Sequence, residues 1–114
     1  MSKIRVGIIG SAGYTGGELL RILIFHPEVE IVFANSASNA GNKLYAVHND
    51  LFGDTELEFS SDFHSDIDVL FLCVGHGDAR KFLDANSIDS SVKIIDLSQD
   101  YRLRANTTYQ GQDF

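Results

Sequence analysis

Residues 4 to 20 read IRVGIIGSAGYTGGELL, and the fold prediction starts from them. An apolar run leads into a turn with glycines at positions 10, 13 and 16, and an apolar stretch with helical spacing follows. A glycine-rich turn between a strand and a helix is typical of a dinucleotide site, because its bare backbone and the helix N-terminus can hold a pyrophosphate. The alternative is a flexible connection without a ligand, which would rarely use so many glycines in one register.

The glycines follow the spacing G-x-x-G-x-x-G, with Ala12 where the commoner G-x-G-x-x-G pattern has its second glycine. The strand before the turn and the helix after it supply the context that such a motif requires. We predict that this turn binds a cofactor through Gly10, Ser11, Ala12, Gly13, Tyr14, Thr15 and Gly16.

The rest of the chain alternates between predicted strands and helices, without an internal repeat or a linker. This order indicates an α/β fold, with a Rossmann-like, doubly wound and mostly parallel sheet. Residues 36–55 are polar and turn-rich, with at most a short helix near residues 44–50, and no strand or helix period follows Ser98. Predicted strands cover residues 3–9, 29–35, 55–59, 68–74 and 92–98, and predicted helices cover residues 14–25 and 77–86.

Composition narrows the class of protein. The chain has 114 residues, 44% of them hydrophobic, which suits one globular domain. A net charge of −7 without a basic cluster argues against a nucleic acid or an anionic membrane as partner. One cysteine excludes an intrachain disulfide, and the histidines lack metal-ligand spacing, so we expect no metal site. No secretory signal or long apolar run is present, and we expect a cytoplasmic protein.

The end of the second predicted strand bears on the choice of cofactor. NAD sites place an acidic residue about 20 residues after the glycines, where it binds the ribose hydroxyls. Here Asn35 is followed by SASNAGNK without an acid, which favours NADP (NADPH) over NAD. Ser36 and Ser38 would bind the 2′-phosphate, and Lys43 could add positive charge. An ordinary polar loop is the alternative for each of these residues.

Five segments carry a resemblance to a known family. GSAGYTGGEL, SASNAGNKL, HNDLFG, FLCVGHGDA and IIDLSQDYRL, in this order, resemble the N-acyl-γ-glutamyl-phosphate reductases of arginine biosynthesis. The resemblance implies an NADPH-dependent reduction of an acyl phosphate to an aldehyde, and a full-length enzyme that is a homo-oligomer. It places the catalytic cysteine, in a P-G-C motif, and the catalytic histidine beyond residue 114. We therefore expect residues 1–114 to be the N-terminal cofactor domain, inactive alone because the catalytic and dimerisation domain is absent.

The resemblance also assigns residues at the ends of two later strands. Gly75 and His76 would shape the cofactor pocket where many family members have Pro-His-Gly, although His76 could instead cap a helix or be exposed. Ser98 and Arg102 would face the substrate, although Arg102 could instead form a surface ion pair with Asp100.

Two residues bear on the family resemblance, Cys73 as the one cysteine of the chain and Ala37 as a departure from the family pattern. Cys73 alternates with Val69 and Phe71 on an apolar strand, so we predict a core side chain and not the nucleophile. Ala37 stands where many family members have an arginine, which weakens the NADP prediction without reversing it.

Two alternatives to the reductase stay open. One is the same cofactor domain from another semialdehyde dehydrogenase, such as the aspartate enzyme. The other is a stand-alone nucleotide-binding or sensor module without chemistry.

Overall fold

The computed structural model describes residues 3–61, 66–74, 78–86 and 88–97, together with the backbone of residues 108–109 and 112–113. The described helices are α1 (Tyr14–Ile24) and α2 (Asp78–Ala85), and the described strands are β1 (Ile4–Ile9), β2 (Val29–Asn35), β3 (Val69–Leu72), β4 (Lys93–Asp96), β5 (Thr108–Tyr109) and β6 (Gln112–Asp113). Three short 3₁₀ turns follow β2, at Ala37–Asn39, Leu44–Ala46 and Asn49–Leu51. No helix within the described ranges is long and apolar enough to span a membrane.

The first four strands form a parallel sheet in the order β2-β1-β3-β4. The chain therefore moves from β1 to β2 on one side and later returns to place β3 on the other side of β1. In open α/β sheets, ligands bind at such a reversal of strand order, outside the carboxyl ends of the strands. The predicted Rossmann-like parallel sheet is confirmed, and the glycine turn lies where β1 ends at this reversal.

Successive side chains of the strands point to opposite faces of the sheet, and each face carries its own core. The core on the α1 face contains Val6, Ile8, Leu20, Leu23, Ala34, Leu44, Leu51 and Phe59. The core on the α2 face contains Ile9, Phe33, Ile67, Leu70, Leu72, Leu83, Ile88 and Val92. Burial on both faces explains why β1 and β3 read as nearly continuous apolar runs, and it makes the sheet doubly wound.

A break in strand register places an aromatic ring over Gly7. Val6 pairs with Ile31 but Gly7 pairs with Phe33, so one residue of β2 is skipped. A Cβ on Gly7 would lie 2.3 Å from the nearest ring carbon of Phe33. Gly7 therefore leaves room for the Phe33 ring, a packing role that its sequence context did not indicate.

Two predictions about secondary structure were wrong. Residues 55–59 do not form a strand: Glu58 makes a single antiparallel bridge with Lys43, and Ser60, just after the segment, makes a single parallel bridge with Asn35. This segment instead folds back on the loop after β2 and buries Phe59 on the α1 face. The absence of order expected after Ser98 is wrong for β5 and β6, which pair antiparallel over two residues each, too few to show a period in sequence.

Candidate cofactor site

Gly10 begins the turn after β1 and has a left-handed backbone, with φ of +78°. A Cβ at this position would lie 2.7 Å from Cγ1 of Val74 and 2.8 Å from the carbonyl oxygen of Cys73. Both the dihedral angle and the space therefore require glycine. Its absent side chain lets the turn pass close to the end of β3.

The other two glycines of the motif, Gly13 and Gly16, lie in very different surroundings. A Cβ on Gly16 would lie 2.7 Å from Cα of Ser11 and 2.8 Å from the Gly10 carbonyl oxygen, so this glycine brings α1 against the turn. A Cβ on Gly13 would meet no atom nearer than the Gly10 carbonyl oxygen at 4.0 Å. Gly13 is thus open to a ligand. The three glycines therefore have the separate functions that a dinucleotide turn requires: Gly10 for the tight turn, Gly13 for access of the ligand to the backbone, and Gly16 for close packing of the helix.

The N-terminus of α1 suits an anion. Gly13 is its N-cap and offers no side-chain bond to the first turn, which contains no acidic residue. The first N–H groups of a helix have no intrahelical partner and carry the positive end of its dipole. Tyr14 and Thr15 are exposed at this end. Phosphate oxygens could therefore accept hydrogen bonds from this backbone.

Ser11 anchors the turn to β2. Its N–H and its hydroxyl donate to the Asn35 carbonyl oxygen at 3.0 and 2.9 Å, and the N–H of Gly10 donates to the same oxygen at 3.2 Å. Ser11 has no exposed surface. The N–H and the hydroxyl of Ser11 are turned inward to β2, and a direct contact of Ser11 with the cofactor stays a prediction. Gly16 is buried as well, and its part in the site is packing.

The structure gathers the two predicted serines around the side-chain amide of a neighbouring asparagine. The Asn39 side-chain amide donates to the hydroxyls of Ser36 at 3.4 Å and Ser38 at 3.3 Å. Ser38 is exposed, whereas Ser36 is buried and its N–H donates to the Ser60 carbonyl oxygen at 2.9 Å. These groups follow β2 directly, beside the carbonyl of Asn35 that holds the turn. The repeated serines before Asn39 were the only signal for this cluster.

Lys43 does not supply a free charge. Its ammonium lies 3.3 Å from the Glu58 carboxylate and 3.6 Å from that of Glu56, and it donates to the Glu56 carbonyl oxygen at 3.0 Å. The hydrogen bond with Glu58 raises the pKa of Lys43. The expectation that Lys43 adds positive charge at the cofactor site thus finds no support, because two carboxylates already neutralise it.

Cys73 follows β3 and packs against the core on the α1 face. Burial, helped by the nearby Asp96 carboxylate, raises the pKa of Cys73 to about 11. A thiol of this kind is almost entirely protonated at neutral pH and is a poor nucleophile. Its surroundings therefore agree with the prediction of a core side chain.

A shallow cleft of about 270 Å³ lies beside α1 and is a poor phosphate site. Its lining includes Glu18 and Asp50, whose two carboxylates share the one guanidinium of Arg21, so the net charge there is negative and disfavours an anion. The geometry favours the open side of the turn at Gly13 instead.

Among the described residues, no three histidine, cysteine or acidic side chains are grouped to hold a metal ion. The predicted site residues Gly75, His76, Ser98 and Arg102 lie outside the described residues.

The chain is similar to curated reductases over most of its own length. A Bacteroides fragilis protein named N-acetyl-gamma-glutamyl-phosphate reductase is 57% identical over 101 residues, which are 88% of this chain and 31% of the relative. Proteins of the same name from Christiangramia forsetii and Flavobacterium johnsoniae are 53% and 49% identical, over 90% and 97% of this chain and 32% and 34% of their own lengths. The chain spans about a third of the length of these relatives.

A solved structure and a family model agree with the fold. The aspartate semialdehyde dehydrogenase of Candida albicans, determined with NADP, superposes with a TM-score of 0.71 at 18% identity, over 90% of this chain and 32% of that one. At this identity the likeness concerns the fold alone. Residues 5–112 match the family described as semialdehyde dehydrogenase, NAD binding domain. Since this match covers nearly the whole sequence, the chain belongs to the semialdehyde dehydrogenase NAD-binding domain family.

Proposed function

We propose that this chain is the cofactor-binding part of an NADPH-dependent reductase in arginine biosynthesis. The enzyme would reduce an N-acyl-γ-glutamyl phosphate to the corresponding semialdehyde and release phosphate. The observation that carries the proposal is the identity of 49–57% to relatives that share one printed name. The likeness to the aspartate enzyme is too distant to favour an aspartyl substrate.

The turn is the proposed pyrophosphate site. Gly13 leaves space that a Cβ would fill, and the first turn of α1 presents N–H groups without a competing carboxylate. Gly10 and Gly16 hold this backbone in place because nothing larger fits at either position. NADPH, when bound, supplies the hydride that the reduction needs. The contribution of these residues is to bind it and to fix its orientation over the carboxyl end of the sheet.

The preference for NADPH over NADH is proposed to reside after β2. The exposed hydroxyl of Ser38 and the amide of Asn39 are donors suited to a 2′-phosphate, and Ser36 shares the same amide. No carboxylate in residues 36–43 takes the place of the acid that NAD sites use. Lys43 is not part of this proposed set, because its ammonium pairs with Glu56 and Glu58.

Several further assignments rest on the family resemblance. Gly75 and His76 would line the cofactor pocket, and Ser98 and Arg102 would face the acyl phosphate. Residues 1–114 would form the cofactor domain, inactive without a catalytic and dimerisation half. On the same resemblance, we propose a cytoplasmic homo-oligomer for the full-length protein.

A domain transplant tests the proposal. The matched residues of the Bacteroides fragilis relative are replaced by this chain, and phosphate-dependent reduction of NADP⁺ by N-acetylglutamate semialdehyde is followed at 340 nm. We expect turnover from the chimera and at least tenfold less from a chimera that also carries Gly13→Ala. A folded chimera that binds NADPH but does not turn over would favour the module without chemistry.

Cofactor choice is tested on the chain itself. Fluorescence titrations with NADPH and NADH should give tighter binding of NADPH. Equal or stronger binding of NADH would refute the preference, and binding of neither would refute the dinucleotide site.

A further inference from the structure

We propose that His48 is a positioning residue for the glycine turn. It fastens the Ser11 carbonyl, and thereby holds the backbone from Ala12 to Thr15 in the shape that receives a pyrophosphate. The inference rests on the proposed dinucleotide site. It concerns a side chain that does not touch the cofactor and that begins the segment HNDLFG in the loop after β2.

The contact between His48 and the turn is a hydrogen bond across 37 residues of sequence. Nε2 of His48 lies 2.8 Å from the carbonyl oxygen of Ser11. Because a carbonyl oxygen only accepts, Nε2 must carry the hydrogen. Ser11 is held on its other side by Asn35, whose carbonyl oxygen accepts from both the N–H and the hydroxyl of Ser11. The residue is thus clamped between β2 and the loop that carries His48.

The direction of this carbonyl matters because a peptide unit is planar. In a trans peptide the C=O of Ser11 and the N–H of Ala12 point in opposite directions. The bond to His48 therefore turns the Ala12 N–H away from the loop. Without that bond, the Ser11–Ala12 unit could rotate, and the N–H groups that lead into α1 would lose their common orientation.

The ring of His48 is also held by packing. A Cβ on Gly17 would lie 2.5 Å from Nδ1 of His48, so the second glycine of the Gly16-Gly17 pair leaves space for the imidazole. The ring makes an edge contact with Phe59, with centroids 6.0 Å apart. Its backbone N–H donates to the Leu44 carbonyl oxygen at 2.9 Å. His48 is thus wedged between α1 and the loop, with its donor aimed at the turn.

Two substitutions separate the hydrogen bond from the packing. His48→Phe keeps a ring of similar size but removes the donor, and His48→Gln keeps an amide donor near the position of Nε2. The chain and both variants are titrated with NADPH and with adenosine 2′-monophosphate, which lacks the pyrophosphate. We expect His48→Phe to bind NADPH roughly tenfold more weakly, as for the loss of one hydrogen bond, with 2′-monophosphate binding unchanged. His48→Gln should restore most of the NADPH affinity.

Gly17→Ala provides a second approach in case His48→Phe does not fold. Its methyl group would crowd the imidazole from the helix side, and it should weaken NADPH binding in the parent chain. In a His48→Ala background the same substitution should have no further effect on NADPH binding, because both changes act through one contact.

The outcomes are distinguishable. Parental NADPH affinity in folded His48→Phe, or failure of His48→Gln to restore binding, would overturn the inference while the proposed function stands. Equal loss of both ligands in His48→Phe would show a general structural role and overturn it too. A parent chain that does not bind NADPH would refute the proposed function itself, and the role of His48 with it.

Discussion

Gly16→Ala should destabilise the chain, because α1 begins in backbone contact with the turn. The new methyl group would lie 2.7 Å from Cα of Ser11 and 2.8 Å from the Gly10 carbonyl oxygen. Both contacts are backbone atoms, so relief requires a shift of the helix. Overpacking of this kind costs about 1–3 kcal/mol, and the better helix propensity of alanine offsets about 1 kcal/mol of it. Because both contacts are with backbone atoms, we place the overpacking cost in the upper part of this range, at about 2–3 kcal/mol, and expect a net loss of about 1–2 kcal/mol in the free energy of unfolding.

Gly13→Ala is the matched control, since it adds the same methyl group three residues earlier. The backbone at Gly13, with φ of −80° and ψ of 179°, accepts alanine, and the nearest atom would be 4.0 Å away. The weaker N-cap and the stiffer unfolded chain nearly cancel, so stability should change by less than about 1 kcal/mol. The methyl group would instead occupy the proposed pyrophosphate position. NADPH affinity should fall at least about tenfold, or about 1.4 kcal/mol.

Urea denaturation followed by circular dichroism measures the stability of both variants, and NADPH fluorescence measures binding. Gly16→Ala with parental stability would refute the close packing of α1 on the turn. Gly13→Ala with parental NADPH affinity would show that the pyrophosphate binds elsewhere.

Gly7→Ala should lower the free energy of unfolding by about 1–3 kcal/mol in urea, because its Cβ would overlap the Phe33 ring; parental stability would contradict this packing. Burial raises the pKa of Cys73 to about 11. Alkylation of the chain at pH 8 should therefore be roughly a hundredfold slower than that of an exposed cysteine, and its rate should rise as the pH approaches 11. Fast alkylation at pH 8 would refute the buried thiol. Lys43→Met should leave the ratio of NADPH to NADH affinity unchanged, because Glu58 already pairs the ammonium; a tenfold fall would place Lys43 at the 2′-phosphate.

The strand–turn–helix of residues 4–24 could be predicted because each of its parts has a local cause. An apolar run buried on both faces, glycines at a fixed spacing and a helical period all lie within a few residues of one another. The same holds for β3, whose apolar run is unmistakable. Local chemistry also explains why Cys73 could be recognised as an apolar side chain that packs against the core.

Contacts between distant segments could not be predicted in this way. The bond of His48 to Ser11 and the pairing of Lys43 with Glu58 depend on how the loop after β2 folds back. The apolar alternation of residues 55–59 is typical of a strand. The backbone of this segment instead forms hydrogen bonds with the loop after β2, and only Phe59 reaches the core. Gly7 leaves room for the Phe33 ring because of a register break in β2, and no local sequence pattern predicts that break.

The most direct test of the cofactor site is an amide ¹⁵N–¹H correlation spectrum of the chain during titration with NADPH. Saturable shifts are predicted, largest at the N–H groups of Ala12, Gly13, Tyr14 and Thr15. Absence of saturable shifts would contradict the account. So would shifts that are largest at Asn49, in the acidic cleft beside α1, while the turn stays unchanged.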